Sequence, residues 1–219
     1  MTGEELARVC GATVGNATLY AEHLWNARAH FNIMGPTRTA MFLAQISFES
    51  LRFSKVEENL SYSAKRLMVV WPRRFPTLEF AQQYAHNPQK LANFVYGGRM
   101  GNTGPNDGWR YIGRGLKQLT GCDNYTLATK DLLPILGVNY VQNPQAVALP
   151  IHAAWTAAWF WSANGLNAIA DTGNYERVTR IINGGLTGHE DGNDVGMDDR
   201  VEYLAHVQAQ LERFGGVLA

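Results

Sequence analysis

Apolar residues recur at intervals of three to four positions through most of the chain, a spacing that gathers them on one face of an α-helix. Alternation of apolar and polar residues, which is typical of β-strands, is scarce. Helix-starting residues fit this interpretation, since Asn16 can cap one helix and Pro36 suits the first turn of another. The pattern therefore predicts a mainly α-helical protein. Helices are expected after residue 16, at 36 to about 51, and at 145–149, 151–163, 175–182 and 198 to about 213.

The first and last of these helices have well-defined apolar faces, which we expect to point into the core. Their members are Leu19, Leu24, Ala27 and Phe31 in the first helix and Val201, Leu204, Val207 and Leu211 in the last. Glycine-rich loops are predicted at 96–121 and 183–196. Within the first loop, "WRYIGRGLKQLT" is the best candidate for a short hairpin or an extended segment.

The chain contains no Pro/Ser-rich linker, low-complexity tract or solenoid repeat. Its 219 residues suffice for one domain with a well-buried core. We therefore expect a single catalytic or binding domain over residues 1–219, with a smaller lobe at about 60–105 and without an accessory module.

Composition narrows the function classes. The 19 basic and 19 acidic residues balance, which argues against nucleic acid or an anionic membrane as a partner. The most apolar stretch, residues 151–163, is too short to cross a bilayer and predicts a buried helix. Cys10 and Cys122 lie far apart without CxxC spacing, so neither zinc nor a disulfide framework is suggested. A monomer without stable membrane insertion is expected.

The opening "MTGEELARVC" carries acids where a secretory signal would carry basic residues, and no apolar run follows it. Synthesis in the cytoplasm is the expectation.

Three carboxylates raise a question of geometry. Glu49 follows Phe42 and Ile46 on an apolar stripe, where a carboxyl group loses hydration and its neutral form is favoured. Because a helix turns about 100° per residue, Glu49 and Glu58 would point to opposite sides of a continuous helix. They converge only if the helix ends between them, although neither Gly nor Pro forces such a break. The alternative is that Glu49 reaches water or pairs with Arg52, while Glu57 and Glu58 form a solvated acidic pair.

Two features of the chain partly resemble metal-binding patterns, one for calcium and one for zinc. From Asp191 the stretch "DGNDVGMDDRVE" partly resembles an EF-hand loop, but Val195 stands where a side-chain ligand is needed. His189 has no neighbouring histidine. We therefore predict no metal and no cofactor.

Five stretches in fixed order carry a family resemblance: "ISFES", "VEENLSYSA", "VYGGRMGN", "GWRYIGRGLKQLTGCDNY" and "IINGG". Together they resemble family 19 of the glycoside hydrolases, and more narrowly its bacteriophage endolysin branch, which cleaves peptidoglycan, rather than the plant chitinases. The resemblance covers residues 42–203. It implies a lysozyme-like, mainly α-helical fold with two lobes flanking a substrate cleft, and hydrolysis with inversion of configuration.

The same resemblance assigns the catalytic groups. Glu49 matches the family's general acid, although Phe48 replaces the histidine that usually precedes it. Glu58 matches the general base, with Glu57 as the alternative if the alignment slips by one. Thr120 matches the residue that holds the attacking water. An inverting pair of this kind lies about 6.5–9.5 Å apart, which leaves room for that water.

Further residues match sugar-binding positions. Gln118, Asn124 and Asn183 match amides that contact the substrate, a role that suits N-acetyl and hydroxyl groups. Tyr111 and Tyr125 either stack on sugar rings or belong to the core.

Two arginines complete the set. Arg114 either orients a carboxylate or braces its loop. Arg200 resembles the family's arginine that ties the catalytic acids together, although Thr187 stands where the plant enzymes have an acid.

The sequence thus predicts an endolysin that binds peptidoglycan glycan strands and cleaves the β-1,4 bond between N-acetylmuramic acid and N-acetylglucosamine. It would accumulate in the host bacterial cytoplasm and reach the wall through a separate pore protein. The alternatives are a chitinase on the same fold, a lytic transglycosylase and a non-catalytic wall-binding protein.

Overall fold

The structure, a computed structural model, describes residues 1–183 and 196–214. The predicted mainly α-helical class is confirmed, and the described residues form helices and isolated bridges but no β-strand. The helices are α1 (Gly3–Cys10), α2 (Val14–His30), α3 (Pro36–Glu49), α4 (Ala64–Val70), α5 (Leu78–Gln82), α6 (Pro88–Tyr96), α7 (Asp107–Arg110), α8 (Cys122–Leu136), α9 (Pro150–Ala163), α10 (Leu166–Asp171), α11 (Tyr175–Ile182) and α12 (Met197–Arg213). His189, Thr187 and the possible calcium loop around Asp191 and Val195 lie outside the described residues.

The chain divides into two compact units. Unit 1 comprises Met1–Val56, Arg114–Gln118 and Gln145–Ala219, and unit 2 comprises Glu57–Gly113 and Leu119–Pro144. Glu49 therefore belongs to unit 1 and Glu58 to unit 2.

Unit 1 is built around α3. Pro36 occupies the first turn of this helix, as predicted, because its missing N–H and fixed φ suit that position. Every residue from Thr39 to Ser47 is buried, since α1, α10, α11 and α12 all pack on α3. The Phe42 ring meets the Trp161 ring of α9 edge-on, with 5.5 Å between the centroids. The catalytic candidate Glu49 is thus the last residue of a largely buried helix.

Several local predictions for unit 1 were wrong. Thr13, not Asn16, caps α2 through its hydroxyl. Residues 144–148 form a 3-10 helix where an α-helix was expected. Leu19 and Val201, both expected inside, are 53% and 50% exposed, because each lies at the edge of an apolar face whose centre is already filled. The predicted α9, α11 and α12 are confirmed.

Unit 2 has a small core rich in aromatic rings. Its buried residues are Leu60, Leu67, Phe75, Ala81, Leu91, Ala92, Val95 and Ile112. Phe75 is fully buried and lies within 5.4–6.3 Å of four other rings, measured between centroids. The helices α4, α5 and α6 hold this cluster, and their lengths of 7, 5 and 9 residues explain why periodicity alone did not reveal them.

The predicted buried helix at 151–163 is confirmed as α9, and none of the helices in the described part is long and apolar enough to span a bilayer. Both cysteines are free thiols. Cys10 is fully buried, and this burial raises the pKa of its thiol to about 12. It is therefore protonated and unreactive at neutral pH.

Candidate active site

The helix α3 ends at Glu49 in an unusual turn. Leu51, Arg52 and Phe53 are three consecutive non-glycine residues in the left-handed region, with φ values of 48°, 57° and 64°. A left-handed residue costs roughly 1–2 kcal/mol when it carries a Cβ. The helix therefore ends directly after Glu49 in a left-handed turn, without the Gly or Pro that such a break usually requires.

Ser50 and Phe53 stabilise this turn. The Ser50 hydroxyl donates to the Ile46 carbonyl at 2.7 Å and accepts from the Phe53 amide at 3.0 Å. Phe53 is 2% exposed and its ring lies 5.7 Å from that of Tyr20. Burying a phenylalanine contributes roughly 1.5–3 kcal/mol, which offsets much of the backbone strain. The predicted helix ran to about residue 51, but α3 ends at Glu49 and Leu51 is 57% exposed.

Glu49 forms an ion pair with Arg200. The Arg200 Nη2 lies 2.6 Å from the Glu49 Oε1, and the two side chains are 7% and 17% exposed. The other guanidinium nitrogen, Nη1, donates to the Gln45 Oε1 at 3.0 Å. Gln45 in turn donates to the Thr179 hydroxyl. The carboxylate therefore lies not in the purely apolar setting that its stripe suggested, but at the end of a buried polar network.

Phe48 occupies the position where the family resemblance places a histidine. Its ring lies under the Arg200 guanidinium, with 4.2 Å from the Arg200 Cζ to the ring centroid. The guanidinium plane is thus fixed by an aromatic face and by Gln45 together. This packing shows how the arginine that holds Glu49 is oriented without the histidine.

Asn183 belongs to the same group in unit 1. It caps the C-terminus of α11, where its side-chain nitrogen donates to the Thr179 carbonyl at 3.1 Å. Its side-chain oxygen accepts from the Arg200 Nη2 at 3.4 Å. The structure therefore brings together Glu49, Asn183 and Arg200, which the sequence singled out separately.

Sequence reasoning missed two further groups near Glu49. Lys117 and Glu49 line the same small cavity of unit 1, and the Lys117 Nζ lies 3.9 Å from the centroid of the Phe160 ring. Burial lowers the pKa of Lys117 to about 8, and the charge of Glu49 opposes that change. The Tyr175 hydroxyl is buried without a hydrogen-bond partner among the described residues. Its pKa is raised mainly by burial, with Arg200 lowering it and Glu49 raising it.

In unit 2, Glu58 is held by two donors. The Tyr96 hydroxyl donates to its Oε1 at 2.6 Å, and the Gly113 amide donates to its Oε2 at 3.3 Å. The Glu58 amide donates in return to the Gly113 carbonyl at 2.9 Å. Burial raises the pKa of Glu58, while the hydrogen bonds from Tyr96 and Gly113 lower it. By contrast the neighbouring Glu57 is exposed, so the structure distinguishes the two carboxylates that the sequence left as alternatives.

Asn102 supports the Tyr96 side of this group and was also missed. It is 1% exposed, and its side-chain nitrogen donates to the Tyr96 carbonyl at 3.0 Å. Its side-chain oxygen accepts from the Cys122 amide at 2.9 Å, which ties the "VYGGRMGN" loop to the start of α8. The signal that could have found both residues was their place in that motif.

Thr120 lies just before α8 in unit 2 and is partly exposed. Its carbonyl accepts from the Asn124 side-chain nitrogen at 2.8 Å. Gln118, which belongs to unit 1, has a left-handed φ of 57°, and its side-chain nitrogen donates to the Gly115 carbonyl at 3.0 Å. These amides therefore also stabilise their own loops. The segment 111–120 forms no strand and instead has isolated bridge residues at 114 and 119 with a turn at 115–118 between them.

The structure favours an internal role for three candidates. Tyr111 and Tyr125 are 4% and 0% exposed, and their rings lie 5.2 Å apart between centroids. The Tyr125 hydroxyl donates to the Ile112 carbonyl at 2.8 Å. Both belong to the core of unit 2 rather than to a sugar-stacking surface. Arg114 is 5% exposed, which leaves little of its side chain for direct contact with a substrate.

Among residues 1–183 and 196–214, no group of three or more His, Cys, Asp or Glu side chains is placed to hold a metal ion. The carboxyl groups of Glu49 and Glu58 can transfer protons to and from a substrate. The two candidate carboxylates differ in their partners, since a cation holds Glu49 and neutral donors hold Glu58.

Comparisons with known proteins show the family. No family model matches the chain. The chain is 40% identical over 151 residues to a glycosyl hydrolase family 19 domain-containing protein of Haemophilus influenzae, a match that covers 68% of this chain and 72% of that protein. The chain therefore belongs to family 19 of the glycoside hydrolases.

Two plant enzymes match over shorter spans. The chain is 32% identical over 97 residues to the acidic endochitinase SP2 of Beta vulgaris, covering 44% of this chain and 31% of that enzyme. It is 34% identical over 127 residues to an acidic endochitinase of Petunia hybrida, covering 49% of this chain and 45% of that enzyme. The chain thus spans less than half the length of these two enzymes.

Solved structures show the fold. A bacterial family 19 chitinase superposes with a TM-score of 0.61 at 17% identity, covering 96% of this chain and 94% of that one. Chitinase C from Streptomyces griseus gives a TM-score of 0.61 at 19% identity, covering 96% and 76%. The predicted lysozyme-like helical fold is confirmed, and the chain is a glycoside hydrolase with a chitinase-like fold.

Proposed function

We propose that this family 19 hydrolase is an endolysin that cleaves the β-1,4 bond between N-acetylmuramic acid and N-acetylglucosamine in peptidoglycan, with inversion of configuration. Glu49 protonates the departing glycosidic oxygen as the bond from that oxygen to the anomeric carbon breaks. Glu58 takes a proton from the water that attacks the anomeric carbon, and Thr120 holds that water.

The observation that carries the proposal is the pair of separately supported carboxyl groups. Glu49 is fixed at the end of α3 by Arg200 at 2.6 Å. Because Glu49 becomes negatively charged when it gives up its proton, a cation at this distance stabilises the state that follows proton donation. Burial has the largest effect and raises the pKa of Glu58, while the hydrogen bonds from Tyr96 and Gly113 act in the opposite direction because they favour its ionised form. An ionised carboxylate with restricted hydration suits a general base.

Polar side chains supply recognition of the sugar in this proposal. Asn183 lies beside Arg200, and Gln118 and Asn124 keep partial exposure in their loops. Neutral amides can bind N-acetyl and hydroxyl groups without competing for the catalytic proton.

Chitin is the second candidate substrate. The named plant enzymes and solved structures similar to this chain are chitinases. The choice of peptidoglycan rests on the five stretches that together resemble the endolysin branch: "ISFES", "VEENLSYSA", "VYGGRMGN", "GWRYIGRGLKQLTGCDNY" and "IINGG". Both substrates have β-1,4 bonds between N-acetylated sugars, so the catalytic groups would act identically on either.

Analysis of the products tests this function. We expect purified peptidoglycan to yield muropeptides with N-acetylmuramic acid at the reducing end and the inverted anomer as the first product. Turnover of chitin oligomers should be slower. Faster turnover of chitin would make the protein a chitinase, and anhydro ends would make it a lytic transglycosylase. Binding to cell walls without any products would support a non-catalytic wall-binding role.

The biological setting is part of the same proposal. The protein would act as a monomer, accumulate in the cytoplasm of an infected bacterium and reach the wall after a separate protein opens the membrane. Expression without such a pore protein should leave cells intact, and coexpression should lyse them. Lysis by the chain alone would contradict the requirement for a pore.

A further inference from the structure

Lys117 is a cation in an apolar setting that the mechanism above does not use. It lies in the Arg114–Gln118 segment of unit 1. Its Nζ sits 3.9 Å from the centroid of the Phe160 ring, a distance at which an ammonium group is attracted by the face of the ring. A side chain that only filled space here would be better served by Met or Leu, because a buried ammonium group loses hydration.

The cavity beside Lys117 contains Glu49. Its other lining residues are Gln45 and the apolar Phe42, Ile46, Ala157, Phe160, Trp161 and Ile182. Among these described lining residues, Glu49 carries the only negative charge and Lys117 the only positive one. In such an apolar enclosure the attraction between two opposite charges is much stronger than at an exposed surface.

We propose that Lys117 is a positioning residue for Glu49, whose ammonium group acts together with Arg200 to stabilise the carboxylate that Glu49 becomes as it protonates the leaving oxygen. This inference rests on the proposed role of Glu49 as the general acid. Arg200 contacts the carboxylate directly, at 2.6 Å, and fixes its orientation. Lys117 faces it from the cavity and adds a second positive charge.

The charged and titratable groups around Glu49 are few in the described part of unit 1. Arg200 approaches from α12 and Lys117 from its loop. The Tyr175 hydroxyl lies on the α11 side, where the charge of Glu49 helps to raise its pKa, and it stays neutral at working pH. The α9 residues of the cavity are apolar. Arg200 and Lys117 therefore both supply positive charge near Glu49, and either can be removed by one substitution.

Two opposing effects define the signature of Lys117. A second positive charge opposes the protonated form of a neighbouring carboxyl group, so activity should be lost at a lower pH with Lys117 than without it. The same charge lowers the barrier to proton donation, because the carboxylate forms as the bond breaks. Removing the charge of Lys117 should shift the alkaline limb of the pH–rate profile to higher pH and reduce the maximal rate. Removing a lysine with only a structural role would not shift the alkaline limb of the pH–rate profile.

The test compares K117M, K117Q and K117R, with K90M as the matched control. The Lys90 ammonium also lies over an aromatic ring, 4.7 Å from the Tyr84 centroid, but in unit 2. We expect the alkaline limb of kcat/KM in K117M to rise by about one pH unit and the plateau to fall about tenfold. K117Q should behave like K117M, whereas K117R and K90M should keep the wild-type limb. K117Q gives the same comparison if K117M does not fold.

An E49Q variant separates this inference from the proposed function. If E49Q is inactive while folded K117M or K117Q keeps the wild-type limb and plateau, the role of Lys117 is overturned and the function stands. If folded E49Q retains activity, the assignment of the acid itself fails. If folded K117M and K117Q lose rate without any shift of the alkaline limb, Lys117 has only a structural role.

Discussion

The Arg200 guanidinium meets the Glu49 carboxylate at 2.6 Å across 151 positions of the chain, and both side chains are largely buried. One lies on the first turn of α12 and the other is the last residue of α3. The contact therefore depends on the packing of α12 against α3 and not on any local sequence signal. It places a fixed positive charge where the proposed acid must become negative.

Replacing Arg200 by Met should destabilise the fold and remove most activity. Breaking a buried ion pair costs roughly 3–5 kcal/mol. We expect R200M to lower the free energy of unfolding by about 2 kcal/mol, because Glu49 keeps 17% exposure. Urea unfolding measures the change. The matched control is R38M, since Arg38 also lies on α3 and forms a bidentate pair with Asp171, but at an exposed site. R38M should change the free energy of unfolding by less than about 1 kcal/mol, and equal losses in both variants would contradict the prediction.

The hydrogen bond from Tyr96 to Glu58 predicts how the activity of a Y96F variant depends on pH. It lowers the pKa of Glu58 against the upward effect of burial. In Y96F that pKa should rise, so a higher pH is needed to ionise the base. The acidic limb of kcat/KM should move to higher pH while the alkaline limb stays in place. Y84F, which alters another ring of the unit 2 aromatic cluster, should leave both limbs unchanged, and an unmoved acidic limb in Y96F would count against Glu58 as the base.

The depressed pKa of Lys117 makes a prediction about stability. The value falls from 10.5 to about 8 on folding, so the folded state holds this proton less tightly than the unfolded state. Below pH 8 the full penalty for the buried charge is present, on the order of 3 kcal/mol before compensating contacts. It is relieved as pH rises from 8 to 10.5. K117M should therefore be more stable than wild type at pH 7, and this advantage should shrink over that interval. Thermal unfolding at several pH values measures it, and a constant difference would show the pKa to be normal.

Ser50 should matter more than its size suggests. In S50A the buried Phe53 amide loses its acceptor, which costs roughly 1–3 kcal/mol, and the left-handed turn after Glu49 loosens. Activity should fall together with stability. S54A is the matched control, because the Ser54 hydroxyl donates to the Leu51 carbonyl at an exposed position. Its effect should stay within about 0.5 kcal/mol, and a similar loss from both variants would show that the turn is not held through Ser50.

The sequence predicted the helices that have strong local signals. Pro36 started α3, and the apolar spacing of Tyr175–Ile182 located α11 to the residue. Leu19 and Val201 were assigned inward because periodicity identifies a face but not its width. The short helices of unit 2 depend on packing of aromatic rings from distant segments, and no local pattern records that packing.

The candidate site was predictable to a similar degree. The family resemblance pointed to Glu49, Glu58 and Arg200, and helix geometry required a break after Glu49 only if Glu49 and Glu58 were to converge. The break itself comes from three left-handed residues, held by Ser50 and by burial of Phe53. Left-handed conformations of leucine, arginine and phenylalanine are intrinsically unfavourable, so no propensity argument could predict them. Lys117 lies beside Glu49 and Phe160, which are distant in sequence, so local reasoning could not find it. For Tyr96 the only signal was its place in the motif "VYGGRMGN".

The most direct test of the central claim is the rate at which folded E49Q and E58Q release reducing ends from purified peptidoglycan. General acid–base catalysis contributes roughly 10²–10⁴-fold, so each variant should lose at least 100-fold in kcat while its thermal unfolding remains cooperative. Near wild-type release of reducing ends by either folded variant would contradict the assignment of Glu49 as acid and Glu58 as base.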